Sequence, residues 1–115
     1  MYALRNKVQL IGRLGDDPDV RSFNGDKKKA TFRMATSESY RNAQGQRVTE
    51  TQWHNVVAWG KVAELTERYL TKGKQVAVEG KLVNRKFTDK QGQEKSITEV
   101  VISEMLLLGE KSAEA

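Results

Sequence analysis

Residues 49–70, TETQWHNVVAWGKVAELTERYL, change period halfway along, and that change decides the fold. Over residues 49–59 the side chains alternate: Trp53, Asn55, Val57 and Trp59 share one face of a strand, and Gln52, His54, Val56 and Ala58 share the other. Both faces carry apolar groups, so burial alone does not say which points inward. From residue 61 to residue 70 the spacing turns helical, with Val62, Leu65 and Tyr69 at i, i+3 and i+7 and with Lys72 and Gly73 closing the segment. No other stretch reads as a helix.

On both sides of this stretch the alternation returns. Val8, Leu10, Gly12 and Leu14 oppose Lys7, Gln9 and Arg13, which predicts a strand over residues 3–14. Asp16-Asp17-Pro18-Asp19 breaks it, because proline has no ladder donor and carboxylates favour turns. A short strand over residues 20–23 follows, and Asn24-Gly25 supplies the two positive-φ positions of a tight hairpin turn. Ala30, Phe32, Met34 and Thr36 then oppose Lys29, Thr31, Arg33 and Ala35 in a strand ending near Ser39, and residues 40–49 read as a projecting tip. Beyond the helix, residues 75–88 alternate, Asp89-Lys90-Gln91-Gly92 turns the chain, and residues 95–108 form the last strand. Gly12, Gly80 and Gly60 fit bends that let a small sheet curve. The result is an all-β domain over residues 1–108: a five-stranded Greek-key barrel of the OB type, with one short helix between strands 3 and 4. Residues 109–115 are expected to form a short flexible segment.

The composition narrows the function. The 115 residues hold 20 Lys plus Arg against 15 Asp plus Glu, a net charge of +5, and setting aside residues 104–115 leaves 19 basic and 12 acidic residues. The body of the domain is therefore the basic part and suits an acidic partner. Lacking cysteine, and with one histidine, the chain offers no thiolate zinc site, no cysteine nucleophile and no evident relay for a serine. No catalytic residue is expected. The glycines do not form a phosphate loop, and Asp16, Asp17 and Asp19 bracket Pro18 as turn residues rather than as metal ligands. Neither a cofactor nor a small-molecule substrate is implied. With no apolar run approaching the roughly 20 residues of a membrane span and no leader-like start, the expected location is the cytoplasm.

What remains is a pattern of rings interleaved with cations: Tyr40-Arg41, Trp53, Trp59-Gly60-Lys61 and Arg85-Lys86-Phe87. A single nucleic-acid strand exposes base faces and phosphates together, so flat rings give sequence-tolerant stacking while nearby cations displace counterions. Strand aromatics are more often core, however, and Trp53 and Trp59 on one parity would also make an inward stripe. Against that, Trp53 shares its face with Asn55, and Phe87 shares its face with Arg85 and Lys81. A primosome-type OB subunit, an RNA chaperone or a protein-interaction scaffold would use the same residues.

Several motifs in order resemble the bacterial-type single-stranded DNA-binding proteins over the chain to about Leu108. They are Asn6-Lys7-Val8, Gly12-Arg13-Leu14-Gly15-Asp16-Asp17-Pro18, Ala35-Thr36-Ser37-Glu38-Ser39-Tyr40-Arg41, Thr51-Gln52-Trp53-His54-Asn55-Val56-Val57, Trp59-Gly60-Lys61-Val62-Ala63-Glu64, Tyr69-Leu70-Thr71-Lys72-Gly73 and Arg85-Lys86-Phe87-Thr88-Asp89. The resemblance implies an OB fold, a homotetramer, and sequence-nonspecific binding and protection of single-stranded DNA in replication, recombination and repair, in the cytoplasm at the nucleoid. It implies stacking roles for Tyr40, Trp53, Trp59 and Phe87, with Tyr40 and Phe87 standing where the family usually has Trp and Trp59 where Phe is common. Lys61, Lys72, Arg85 and Lys86 match cationic family positions, and Arg41 and Arg47 are expected to add to them at the hairpin tip. Asn55 and Val83 stand where cations are frequent, so those two phosphate contacts are not carried over. His54 resembles a histidine at the subunit interface. Family members usually add a flexible linker and an acidic tip that recruits partner proteins; the chain reaches Ala115 without them, so it reads as a core cut from a longer protein or a tail-less relative, and tail-mediated replication and repair partners are not expected.

Overall fold

A computed structural model describes residues 2–25 and 27–108; the expected flexible segment 109–115 lies outside them. The period change seen in the sequence falls at Gly60, where a φ of 59° turns the chain out of its strand and into the helix. The elements run Tyr2–Arg5 (a 3-10 turn), β1 Val8–Leu14, β2 Asp19–Phe23, β3 Lys27–Arg41, β4 Arg47–Trp59, α1 Gly60–Tyr69, β5 Gln75–Thr88 and β6 Glu94–Leu107.

The strands form one sheet in the order β1-β5-β6-β4-β3-β2, and the pairing of Arg13 with Ala35 and Leu14 with Met34 joins β1 to β3 and closes it. The barrel proper is β1, β3, β4, β6 and β5, with β2 attached to β3 as an outer hairpin. The helix thus lies between the third and fourth barrel strands, as expected. All pairings are antiparallel except β4 with β6, which run parallel from Asn55 against Glu99 to Ala58 against Ile102. Closure needs two tight crossings. A Cβ on Gly12 would strike the carbonyl oxygen of Ala35, and one on Gly80 would strike that of Val101, where the β5–β6 register shifts at Glu79/Gly80.

The core gathers Leu14, Ala30, Phe32, Met34, Val56, Ala58, Val76, Val78, Val100 and Ile102 from the inward parity of the barrel strands, capped by Ala63 and Leu70. The helix seals one end through a face that differs from the expected one: Ala63 and Thr66 are buried, whereas Tyr69 is exposed with Arg68 over its ring at 5.9 Å. Thr66 can be buried because its Oγ1 donates to the Val62 carbonyl at 2.8 Å.

Two strand boundaries depart from the sequence reading. β1 begins at Val8 rather than residue 3, because Asn6 pins the preceding segment by bonding both the N–H and the carbonyl of Leu82 at 2.9 Å. The β3–β4 ribbon extends to Arg41 and Arg47, leaving only residues 42–46 as its tip. There Asn42 Oδ1 accepts the N–H groups of Gln44 and Gln46, and Gly45 takes a φ of 79°. The Asn24-Gly25 hairpin has the expected pair of positive φ values, 47° and 79°.

Candidate nucleic-acid interface

With Val56 and Ala58 facing the core, the other parity of β4 must point away from it, which leaves Trp53 and Trp59 exposed, Asn55 half-buried and Val57 buried beneath the groove. The β3 ladder places Ala35, Arg33, Thr31 and Lys29 directly beside them in that order. On the far side, β6 sets Glu99 against Asn55, and β5 sets Arg85 against Ile97. Lys29, Thr31, Arg33, Asn55, Arg85 and Glu99 line an open groove of about 440 Å³, together with Asp16 and Asp17 of the β1–β2 turn and Asp19 at the start of β2.

Three rings surround this groove, each bound to it by a cation that lines it. Arg33 lies 4.8 Å from the centroid of Trp53, Lys29 Nζ lies 5.3 Å from that of Trp59, and Arg85 lies 5.7 Å from that of Phe87. Trp53 is 52% exposed, Trp59 48% and Phe87 38%, so none belongs to an inward stripe. Gly15 supports Trp53 from below, since a Cβ there would run into Cζ3 of the indole. Phe23 stands 6.3 Å from Trp59 and extends that platform.

Arg85 donates to both carboxylate oxygens of Glu99, at 3.4 Å from Nε and 3.0 Å from Nη2. That hydrogen bonding, and then the carboxylate charge, raises the Arg85 pKa above its ordinary value. Glu99 can be buried in the groove because this partner is present. The acidic turn residues diverge: Asp16 holds Arg33, Asp17 accepts the Lys72 N–H at 2.8 Å, and Asp19 pairs with Arg21 at 3.5 Å. Among the described residues no cluster of His, Cys, Asp or Glu could hold a metal ion.

The other candidate residues disperse around this centre. Arg41 and Arg47 face each other at the ribbon tip, on the same face as Trp53, with the hydroxyl pairs Ser37–Thr51 and Ser39–Thr49 between. Arg41 Nη1 donates to the Gly45 carbonyl at 2.9 Å, which fixes it to the turn. Tyr40 lies on the opposite face of that ribbon and donates to Glu50 Oε2 at 3.3 Å. Lys86 alternates with Arg85 and Phe87 and so points away from their face. Lys61 is exposed on the first turn of α1, and Lys72 is exposed beyond its end. His54 is half-buried on the face opposite Trp53, with Nε2 3.0 Å from Thr36 Oγ1.

Sequence reasoning missed Lys29, Arg33, Phe23 and Glu99. The signal for the first two was available: they share the β3 parity opposite Phe32 and Met34, and the hairpin register carries that parity onto the tryptophans. Asn55, where the family resemblance expects a cation, faces Arg33 across this ladder.

The comparisons agree with this geometry. The model of the "Single-strand binding protein family" matches residues 5–108. The chain is 43% identical over 109 residues to "Single-stranded DNA-binding protein 1" of Chlorobaculum tepidum, covering 94% of this chain and 67% of that protein. It is 44% identical over 104 residues to the "Single-stranded DNA-binding protein" of Neisseria meningitidis serogroup A, covering 90% of this chain and 60% of the relative. The chain thus spans roughly two thirds or less of the length of these curated relatives. Among solved structures, the Plasmodium falciparum SSB in complex with ssDNA superposes with a TM-score of 0.81 at 37% identity, covering 90% of this chain and 95% of that one. No helix among the described residues is long and apolar enough to cross a membrane. By motif order, barrel topology and match over residues 5–108, the chain belongs to the single-strand binding protein family, whose members bind rather than catalyse.

Proposed function

We propose that this domain binds and protects single-stranded DNA without regard to sequence, in replication, recombination and repair. The observation that carries the reading is the groove framed by three exposed rings, each with its own cation. A strand laid along it would stack bases on Trp53, Trp59 and Phe87, with Tyr40 engaging strand that passes around the ribbon edge. Arg85, together with Arg41 and Arg47 on the ribbon and Lys61, Lys72 and Lys86 on the flanks, would neutralise phosphates. The related SSB solved with ssDNA supports the choice of partner.

Self-association belongs to the same proposal. Ile11, Ala77 and Leu106 form a row across the outer face of β1, β5 and β6, with Ile11 54% and Leu106 64% exposed, and a second copy would cover such a row. We expect a homotetramer, with His54 at a subunit contact, acting in the cytoplasm at the nucleoid. Titration with poly-deoxythymidine across a salt series, followed by tryptophan emission, tests the binding, and light scattering tests the assembly. Quenching with an affinity that falls as salt rises is the expected result. Unchanged emission at every salt concentration would refute the binding.

A further inference from the structure

We propose that Arg33 is a displaceable cap on Trp53: latched over the ring by Asp16 in the free protein, it yields the ring face to a base and turns to a backbone phosphate when a strand binds. This deepens, and rests on, the single-strand reading of the groove. The Arg33 guanidinium lies 4.8 Å from the Trp53 centroid, and its Nε and Nη2 both stand 3.2 Å from Asp16 Oδ2. A ring face covered by a planar cation cannot also carry a base, so stacking on that face requires Arg33 to leave.

The exposures show which cation is free to move. Arg33 and Asp16 are 53% and 58% exposed, so water and salt compete for their pair and Asp16 is readily rehydrated once alone. Arg85 is the counter-example. The side chain of its partner Glu99 is only 11% exposed, and withdrawing Arg85 would leave a carboxylate stranded in a poorly hydrated site. Arg85 therefore keeps its bonds to Glu99 and meets a phosphate only with the N–H groups they leave free, so of these two cations Arg33 is the mobile one. It lines the groove opposite the uncharged Asn55, and its planar fork matches the oxygens of a phosphate.

The test measures poly-deoxythymidine affinity across a salt series for the wild type, Arg33→Ala, Arg33→Lys, Asp16→Asn and the double variant Arg33→Ala/Asp16→Asn, with thermal melts confirming that each is folded. Arg33→Ala should weaken binding and make the slope of log affinity against log salt shallower by about 0.7, the value of one phosphate contact on a single strand. Arg33→Lys should retain the slope. Asp16→Asn should tighten binding severalfold, and that gain should shrink sharply when Arg33 is already absent. An unchanged slope or tighter binding in Arg33→Ala overturns the cap, as does an Asp16→Asn gain of equal size with and without Arg33. If the wild type itself shows no salt-dependent binding, the single-strand reading fails and the cap with it. Wild-type binding with reversed variant effects removes the cap alone.

Discussion

Trp59 stands 48% exposed between Phe23 and Lys29, so its ring contributes little to the core and most of its surface is available to a partner. Trp59→Ala should therefore leave the melting temperature almost unchanged while costing about 1–3 kcal/mol of single-strand binding, the usual value of one stacked base. Anisotropy of a labelled strand measures this independently of the lost tryptophan emission; an unchanged affinity would remove Trp59 from the interface. The ring–cation pattern was legible in the sequence, but the direction of the rings was not. β4 carries Val56 on one parity and Val57 on the other, and both are buried, Val57 as part of the groove lining. Local hydrophobicity cannot separate two buried faces, and the orientation came only from the β3 ladder, where Phe32 and Met34 are unambiguously inward.

At the level of elements, the strands and helix follow the sequence periods closely, and the departures sit where a side chain replaces a ladder. Asn6 ends the pairing of the N-terminal segment, and Asn42 and Asp89 build the tips of both long ribbons by the same device. Asp89 Oδ1 accepts the N–H groups of Gln91 and Gln93 at 2.9 Å, and Oδ2 pairs with Lys95 at 3.3 Å. Foremost through the Gln93 bond, its pKa is held below the ordinary carboxylate value. Since the folded pKa is the lower one, this stabilisation is complete above the unfolded value, about 3.9, and is lost as pH falls through the folded pKa. Asp89→Asn keeps the accepting oxygen but cannot titrate. Its melting temperature should lie a few degrees below that of the wild type near neutrality, and thermal melts through the acid range should show the two converge; a constant difference would contradict the assignment.

For the whole molecule, strand number and helix position were enough to anticipate the barrel, because each is a local pattern. Which strands pair to close it was not legible, because the β1–β3 and β4–β6 pairings join residues far apart in sequence that no window can relate. That distance matters most for β6, which lies between β4 and β5 and supplies Val100 and Ile102 to the core. A chain ending before Glu94 would leave two open sheet edges and should show no cooperative melt by circular dichroism, whereas retention of one would mean that the first five strands suffice. The same geometry sets an order of events during synthesis. The β3–β4 hairpin can form as soon as it leaves the ribosome, but β6, which joins both halves of the sheet, emerges after the other five strands. Until then the nascent protein carries an unsealed hydrophobic interior, so barrel closure must wait for β6 and is limited by long-range pairing.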